Sequence, residues 1–280
     1  MTRDVYVIAG GSGSLGKATA ERVGKNGAVL LVDIGEHCLL RAKAELEQKG
    51  LQDVHILAVD LTSKQTVQQL AQAAAGLGRL RGLVHTADLT PEQADPKRIA
   101  AVNLLGVGHL LEAFLPLANE TTSAVMISSI SAYTMPKDGP YMAVLKQQLD
   151  QNFAGTVEQF TQADSKAAYG MSKLAVHLIV EDQAWVWGEK GARLNSLSPG
   201  IVHAEASIQE ALAQEEVKAI LDHTPLRRKG DLQEIASGIE FLLSDAASYI
   251  TGIDLRIDGG AIANTSRMKA SRGTKSLRKE

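Results

Sequence analysis

Short apolar runs alternate with longer helix-patterned segments along nearly the whole chain. The runs are Val5–Ala9, Ala28–Asp33, Val54–Asp60, Gly82–His85, Ser123–Ser129, Ala192–Ser196 and Ile253–Ile257. Nearly continuous apolarity marks strands covered on both faces, and the intervening helices supply the cover. This rhythm predicts an α/β fold built as a single-domain, Rossmann-type, doubly wound parallel sheet. The rhythm stretches after the fifth run. Met142 to Phe160 has helical apolar spacing at Val144, Leu145, Leu149, Phe153 and Val157, and a second helical segment then runs without proline from Tyr169 to Glu189. The expected organisation is one domain over residues 1–264, with a helical insertion at 132–166 and a basic tail at 265–280.

Composition narrows this picture. The chain has 280 residues, 45% of them hydrophobic, and a formal net charge of −3. That length supports a large core, and the charge offers no general attraction to nucleic acid. Only the tail differs, with Arg267, Lys269, Arg272, Lys275, Arg278 and Lys279 against Glu280. A solvated extension is expected there. The single cysteine, Cys38, excludes an intramolecular disulfide and reads as a buried, inert thiol. No basic leader followed by an apolar core opens the chain, and no run is read as membrane-spanning. A cytoplasmic protein without a membrane partner is expected. The histidines, among them His85, His109, His177 and His203, show no metal-ligand spacing.

Chemistry enters at the first turn. The strand Val5–Ala9 leads into Gly10-Gly-Ser-Gly-Ser-Leu-Gly16 and then a helix. Glycines in this order allow a tight turn, a close backbone approach to a pyrophosphate, and a phosphate on the helix N-terminus. Asp33 ends the second strand, where a carboxylate accepts both ribose hydroxyls of an adenosine and repels a 2′-phosphate. No lysine or arginine lies between Ile34 and Leu40. The pattern therefore favours NAD over NADP.

A second constellation is Tyr169-Gly-Met-Ser-Lys173. Residues four apart share a helix face, so Lys173 can favour the Tyr169 phenolate. Moving a tyrosine from about 10 to about 7 requires roughly 4 kcal/mol, and one unit charge at about 4 Å supplies this at an effective dielectric near about 20. Tyr133-Thr-Met-Pro-Lys137 has the same spacing. Pro136 disfavours helix at Met135 and removes a backbone donor, which sets that pair aside.

Taken together, these segments resemble the short-chain dehydrogenase/reductase family over residues 3 to about 263. Asp60 after the third strand, Asn103 in Val-Asn-Leu-Leu-Gly, Ser129 in Ile-Ser-Ser-Ile-Ser-Ala, Ser198-Pro-Gly200, and Tyr249-Ile-Thr-Gly252 leading to Asp258-Gly-Gly260 extend the likeness. The resemblance implies a tetrad of Asn103, Ser129, Tyr169 and Lys173. Ser129 would bond the substrate oxygen, Lys173 would lower the tyrosine pKa and hold the nicotinamide ribose, and Asn103 would support a water relay. It further implies that NAD lies against Gly10, Gly11, Ser12, Gly13, Ser14, Leu15 and Gly16. Asp33 and Ile34, Asp60 and Leu61, Thr86 and Ala87, and Pro199, Gly200 and Val202 would complete its walls, with Tyr169 and Lys173 at the nicotinamide half. Ser128 should face the opposite side of its strand from Ser129, with Ser131 toward the same pocket. Ala9, His85-Thr86-Ala87 and Ala204 depart from the family pattern and imply altered cofactor contacts.

Ser129 and Tyr169 stand 40 positions apart, a separation that resembles the bacterial 3α-hydroxysteroid dehydrogenase/carbonyl reductase subgroup with its insertion before the tyrosine. In that subgroup the insertion alters a helix-pair interface otherwise used for tetramers, which implies a homodimer. Apolar positions at Ile201, Val202, Ala204, Ala206, Ile208 and Leu212, with Tyr133, Met135, Tyr141 and Met142 of the insertion, suggest an apolar lid. The expected substrate is a hydrophobic secondary alcohol or ketone, steroid-like or alicyclic. Three other readings are weighed against it. A 3-oxoacyl carrier-protein reductase usually prefers NADP, a sugar-nucleotide epimerase or dehydratase needs a larger region after Pro199, and a non-enzymatic NAD sensor or scaffold needs no intact tetrad.

Overall fold

The computed structural model describes residues 3–135, 142, 145, 153–203, 220–222 and 224–264. Seven strands form one parallel sheet in the order β3-β2-β1-β4-β5-β6-β7. They are β1 (Asp4–Ala9), β2 (Ala28–Asp33), β3 (Val54–Ala58), β4 (Arg79–His85), β5 (Ser123–Ile127), β6 (Arg193–Pro199) and β7 (Asp254–Ile257). Every predicted run thus contributes a strand, with shifts of a few residues at the ends. The order reverses between β1 and β4, and at such a switch point the loops at the strands' C-terminal ends part to leave a crevice. Val5 pairs with Ala28 on one side and Leu80 on the other, which buries β1 at the centre.

Helices cover both faces. On one face lie α3 (Lys64–Leu77) and α5 (Gly106–Phe114), joined by the long α7 (Ser165–Gly188); on the other lie α1 (Ser14–Val23), α2 (Glu36–Gln48) and α8 (Leu232–Leu243). A short α4 (Pro96–Ala100) precedes α5, and α6 (Phe153–Phe160) precedes α7. The two main apolar clusters take opposite faces of the same strands: Val5, Val7 and Ala9 join one, Tyr6 and Ile8 the other. This is the period of two expected of a strand covered twice. A third cluster, including Leu104, Leu145, Val157 and Met171, joins the described part of the insertion to α7. The remainder of 132–166 and the tail at 265–280 lie outside the described residues.

Two expectations are corrected here. Cys38 is exposed, because α2 buries Leu39, Ala42 and Leu46 and so turns position 38 outward. The continuous helical run Pro96–Leu117 is long and apolar enough to cross a membrane by composition, which was not anticipated. Its Val107, Leu110, Leu111 and Phe114 are spent against the sheet, in the same cluster as β1 and β5.

The start of α7 is fixed by Asp164, whose carboxylate accepts from the Lys166 and Ala167 N–H groups at 2.8 and 3.3 Å. Such an N-cap satisfies backbone donors that have no partner within the helix. Asp164→Ala should lower unfolding stability by about 1 kcal/mol, seen as a lower urea midpoint at unchanged m-value.

Candidate active site

The C-terminal ends of β1, β4, β5 and β6 surround one crevice. At β1, Gly10 adopts φ 83°, and a Cβ on it would lie 2.4 Å from the Ala87 backbone nitrogen. A Cβ at Gly16 would lie 2.3 Å from the Gly10 carbonyl oxygen. Both glycines are therefore required by chain packing itself. Gly13 is different: a Cβ there would meet only the Gly10 carbonyl, at 3.3 Å. Its outer side is open, and it caps α1 without any side-chain acceptor for the first-turn N–H groups. Open space at a glycine and free N–H groups at a helix start together fit a phosphate. Ser12 shares that loop, Ser14 and Leu15 open α1, and the nearby Lys17 is occupied by Glu45 at 2.6 Å.

Asp33 stands at the end of β2 beside this loop. Its Oδ2 accepts from the Ser12 hydroxyl at 2.5 Å and its Oδ1 from the Ile34 N–H at 2.8 Å. The carboxylate thus ties the glycine loop to β2; Oδ2 also accepts from the Ser12 N–H at 3.3 Å, which leaves a lone pair on Oδ1 for a ribose. Ile34 is exposed beside it. Asp60, after β3, turns back on Thr62, accepting from its N–H at 2.9 Å and its hydroxyl at 2.7 Å, while Leu61 is buried. Thr86 closes the other wall: its N–H and hydroxyl donate to the Ala9 carbonyl at 2.7 and 3.0 Å. On the far side, Pro199 ends β6, Gly200 lies so close to Asp258 that a Cβ would approach its Cα to 2.7 Å, and Val202 pairs with Gly230. The constrained glycine loop with its open Gly13 face fits a dinucleotide.

Tyr169 and Lys173 occupy the first turns of α7. Lys173 is 1% exposed, with Nζ 5.3 Å from the Tyr169 ring centroid and donating to the Ile127 carbonyl at 3.3 Å. Ser128 anchors the helix by donating to the Lys173 carbonyl at 2.8 Å, which commits its hydroxyl to the helix backbone. Ser129 follows β5 with an extended backbone and accepts from the Ser131 N–H at 3.2 Å. The buried Ser131 hydroxyl has no partner among the described residues.

Asn103 sits in a π-helical turn, Ala101–Leu105, a distortion that often marks functional positions. Its amide grips one residue from both sides: Oδ1 accepts from the Leu89 N–H at 2.9 Å and Nδ2 donates to the Leu89 carbonyl at 3.1 Å. Among the described contacts it reaches Ser172 at 3.5 Å and makes no direct bond to Lys173. Its clearest structural task is to hold the segment after β4.

That segment carries the residue the sequence reasoning missed. Asp88 accepts from the Tyr169 hydroxyl at 3.0 Å through Oδ2 and pairs with Lys173 Nζ at 2.9 Å through Oδ1. Burial raises the Tyr169 pKa well above its ordinary value, and the Asp88 charge and hydrogen bond raise it further, against a smaller opposing bond from Ser129. The expectation of a lysine-lowered tyrosine is corrected: the ammonium's charge is met by a carboxylate that also touches the phenol. A departure in this segment was visible at His85-Thr86-Ala87, one residue short of the group that matters. His85 itself is buried, and burial, reinforced by the Lys173 charge, drops its imidazole to about 3. It is neutral, as a packing residue should be. The competing Tyr133 lies in a 3₁₀ turn and donates to Asp254 at 2.7 Å; Lys137 lies outside the described residues. Among the described residues no cluster has metal-ligating composition.

Comparison with known proteins agrees with this arrangement. The profile described as "short chain dehydrogenase" matches residues 4–144, and that described as "Enoyl-(Acyl carrier protein) reductase" matches 153–261. The short-chain dehydrogenase/reductase bsc3 of Alternaria brassicicola is 34% identical over 276 residues, spanning 97% of this chain and 100% of its own. The 3-alpha-hydroxysteroid dehydrogenase/carbonyl reductase of Comamonas testosteroni is 31% identical over 217 residues, covering 75% of this chain and 84% of its own. A solved short-chain type dehydrogenase/reductase from Mycobacterium ulcerans superposes with a TM-score of 0.75 at 24% identity, covering 99% of this chain and 98% of that one, a likeness of fold. With its fold and its homology in agreement, this chain belongs to the short-chain dehydrogenase/reductase family.

Proposed function

We propose that this protein is an NAD-dependent oxidoreductase that interconverts a hydrophobic secondary alcohol and its ketone, of steroid-like or alicyclic type. The observation that carries the reading is the contact of Lys173 Nζ with the Tyr169 ring, 5.3 Å from its centroid, with Ser129 bonded to the same phenol, in a chain whose first turn fits a dinucleotide. A nicotinamide dinucleotide held against the glycine loop and Asp33 would supply the hydride chemistry. Ser129 presents its hydroxyl to the substrate oxygen, and Tyr169 exchanges the proton of that oxygen. Lys173 keeps a positive charge beside both. Asn103 keeps the loop after β4 in place through its two bonds to the Leu89 backbone.

Asp33 supports NAD, since its carboxylate occupies the end of β2 with no cation between residues 34 and 40 to receive a 2′-phosphate. The substrate class rests on the apolar positions Ile201 and Val202 and on the likeness to the Comamonas testosteroni reductase. Ala204, Ala206, Ile208, Leu212 and Tyr141 of the expected lid lie outside the described residues. Tyr133 is committed to Asp254, and Met142 packs with the third cluster. A homodimer accords with the insertion before Tyr169.

Two outcomes test this reading. Tyr169→Phe should cut turnover of hydroxysteroids or alicyclic alcohols by about 10²- to 10⁴-fold while NADH binding, followed by fluorescence, stays nearly unchanged; loss of both would point to a folding defect. Asp33→Ala should weaken NADH binding by about tenfold, the size of one lost charge-assisted bond pair, and narrow the preference for NADH over NADPH. An unchanged cofactor ratio in titrations of that variant would overturn the role given to Asp33.

A further inference from the structure

We propose that Asp88 is a positioning residue that holds the Tyr169 hydroxyl in its proton-donating form, setting the centre for carbonyl reduction in preference to alcohol oxidation. The inference rests on the oxidoreductase reading above, and it concerns a residue outside the tetrad.

The geometry is a bridge. One carboxylate oxygen accepts from the phenol at 3.0 Å, and the other forms an ion pair with the ammonium at 2.9 Å. A tyrosine facing a lone ammonium gains by ionising, because the phenolate and the cation attract. With the carboxylate in place the cation is already compensated, and a phenolate at Oη would confront Asp88 Oδ2 across a hydrogen-bond distance with no proton between them. Asp88 is held there from behind, since the Asn103 amide clamps both backbone groups of its neighbour Leu89.

The charged and titratable groups facing Tyr169 can be named element by element. On α7 there is Lys173; after β4 there are Asp88 and, more distantly, Glu92, which also raises the phenol's pKa. At the end of β4, His85 is neutral. Ser129 after β5 and Asn103 before α5 are uncharged. Among the described residues the single cation is therefore matched by Asp88, with Glu92 adding negative charge.

In the reduction, the substrate carbon gains a hydride from the reduced cofactor, the carbonyl oxygen gains the Tyr169 proton, and the resulting phenolate regains a proton from solvent. An alkoxide formed on hydride addition is a far stronger base than a phenolate, so a phenol of raised pKa still donates to it. Oxidation needs the reverse, a phenolate ready to accept, and Asp88 withholds that form until high pH.

The test follows Tyr169 directly. Phenolate absorbance of the holoprotein is titrated for the wild type and for Asp88→Asn, each minus the same titration in a Tyr169→Phe background. The Tyr169 transition should fall by about one to three pH units in Asp88→Asn, and Asp88→Glu, which keeps the charge, should return it toward the wild type. In rate profiles, Asp88→Asn should raise alcohol oxidation near neutral pH and move the alkaline loss of ketone reduction to lower pH by the same interval. A transition that stays in place or rises in Asp88→Asn overturns the proposal, even if turnover is normal. Absence of turnover with a shifted transition would overturn the substrate reading and leave the hold of Asp88 on Tyr169 supported.

Discussion

A lysine with 1% of its surface exposed is the constraint around which this site is arranged. Removing an ammonium from water costs several kcal/mol unless a counter-charge and hydrogen bonds replace the solvent. Lys173 has the Asp88 carboxylate, the Ile127 carbonyl and the face of Tyr169. Each comes from a different part of the chain: the loop after β4, the end of β5, and the preceding turn of α7. The charge can be buried only when those three are assembled, so the packing of α7 on β5 and the placement of the β4 loop depend on one another. His85, at the end of β4, completes the arrangement by remaining neutral next to the cation.

The dinucleotide side of the crevice is governed by a steric constraint. Gly10 and Gly16 are held against backbone atoms at distances no Cβ tolerates, while Gly13 faces open space. The loop is thus rigid on its inner side and accessible on its outer side. Asp33 fastens it through Ser12, so the residue that would select the ribose also shapes the turn. Removing that carboxylate acts on both, and cofactor preference is the more informative readout because a ratio cancels a general loosening of the loop.

What was legible in the sequence follows the range of the interactions involved. Strands showed as apolar runs, and Tyr169 with Lys173 showed as an i,i+4 pair on a proline-free helix, because both patterns are local. Pro136 separated the two Tyr-x-x-x-Lys segments for the same reason. Asp88 meets Tyr169 across 81 positions, and no periodicity announces such a contact. The same limit hid the fate of Cys38, whose exposure depends on which side of α2 the sheet takes. The apolar run Pro96–Leu117 shows a further limit, since membrane length and a core helix share one composition and only the packing partner separates them.

The two tyrosines make the contrast between structural and chemical use of one side chain. Both end on a carboxylate, Tyr133 on Asp254 and Tyr169 on Asp88. Asp254 is enclosed by Ser196, Ser198 and His177, at 2.7, 3.0 and 3.2 Å from its Oδ1, so Tyr133 closes a network that already joins α7, β6 and β7. A phenol bound that way is a strut. Asp88 has instead a single buried cation and the phenol, and its side chain keeps 27% of its surface in contact with solvent. Charge in that bridge can redistribute when substrate oxygen arrives at Tyr169 and Ser129, and protons can return from water. The difference lies in how many donors surround the carboxylate, and it supports the proton role proposed for Tyr169 on physical grounds independent of any family pattern.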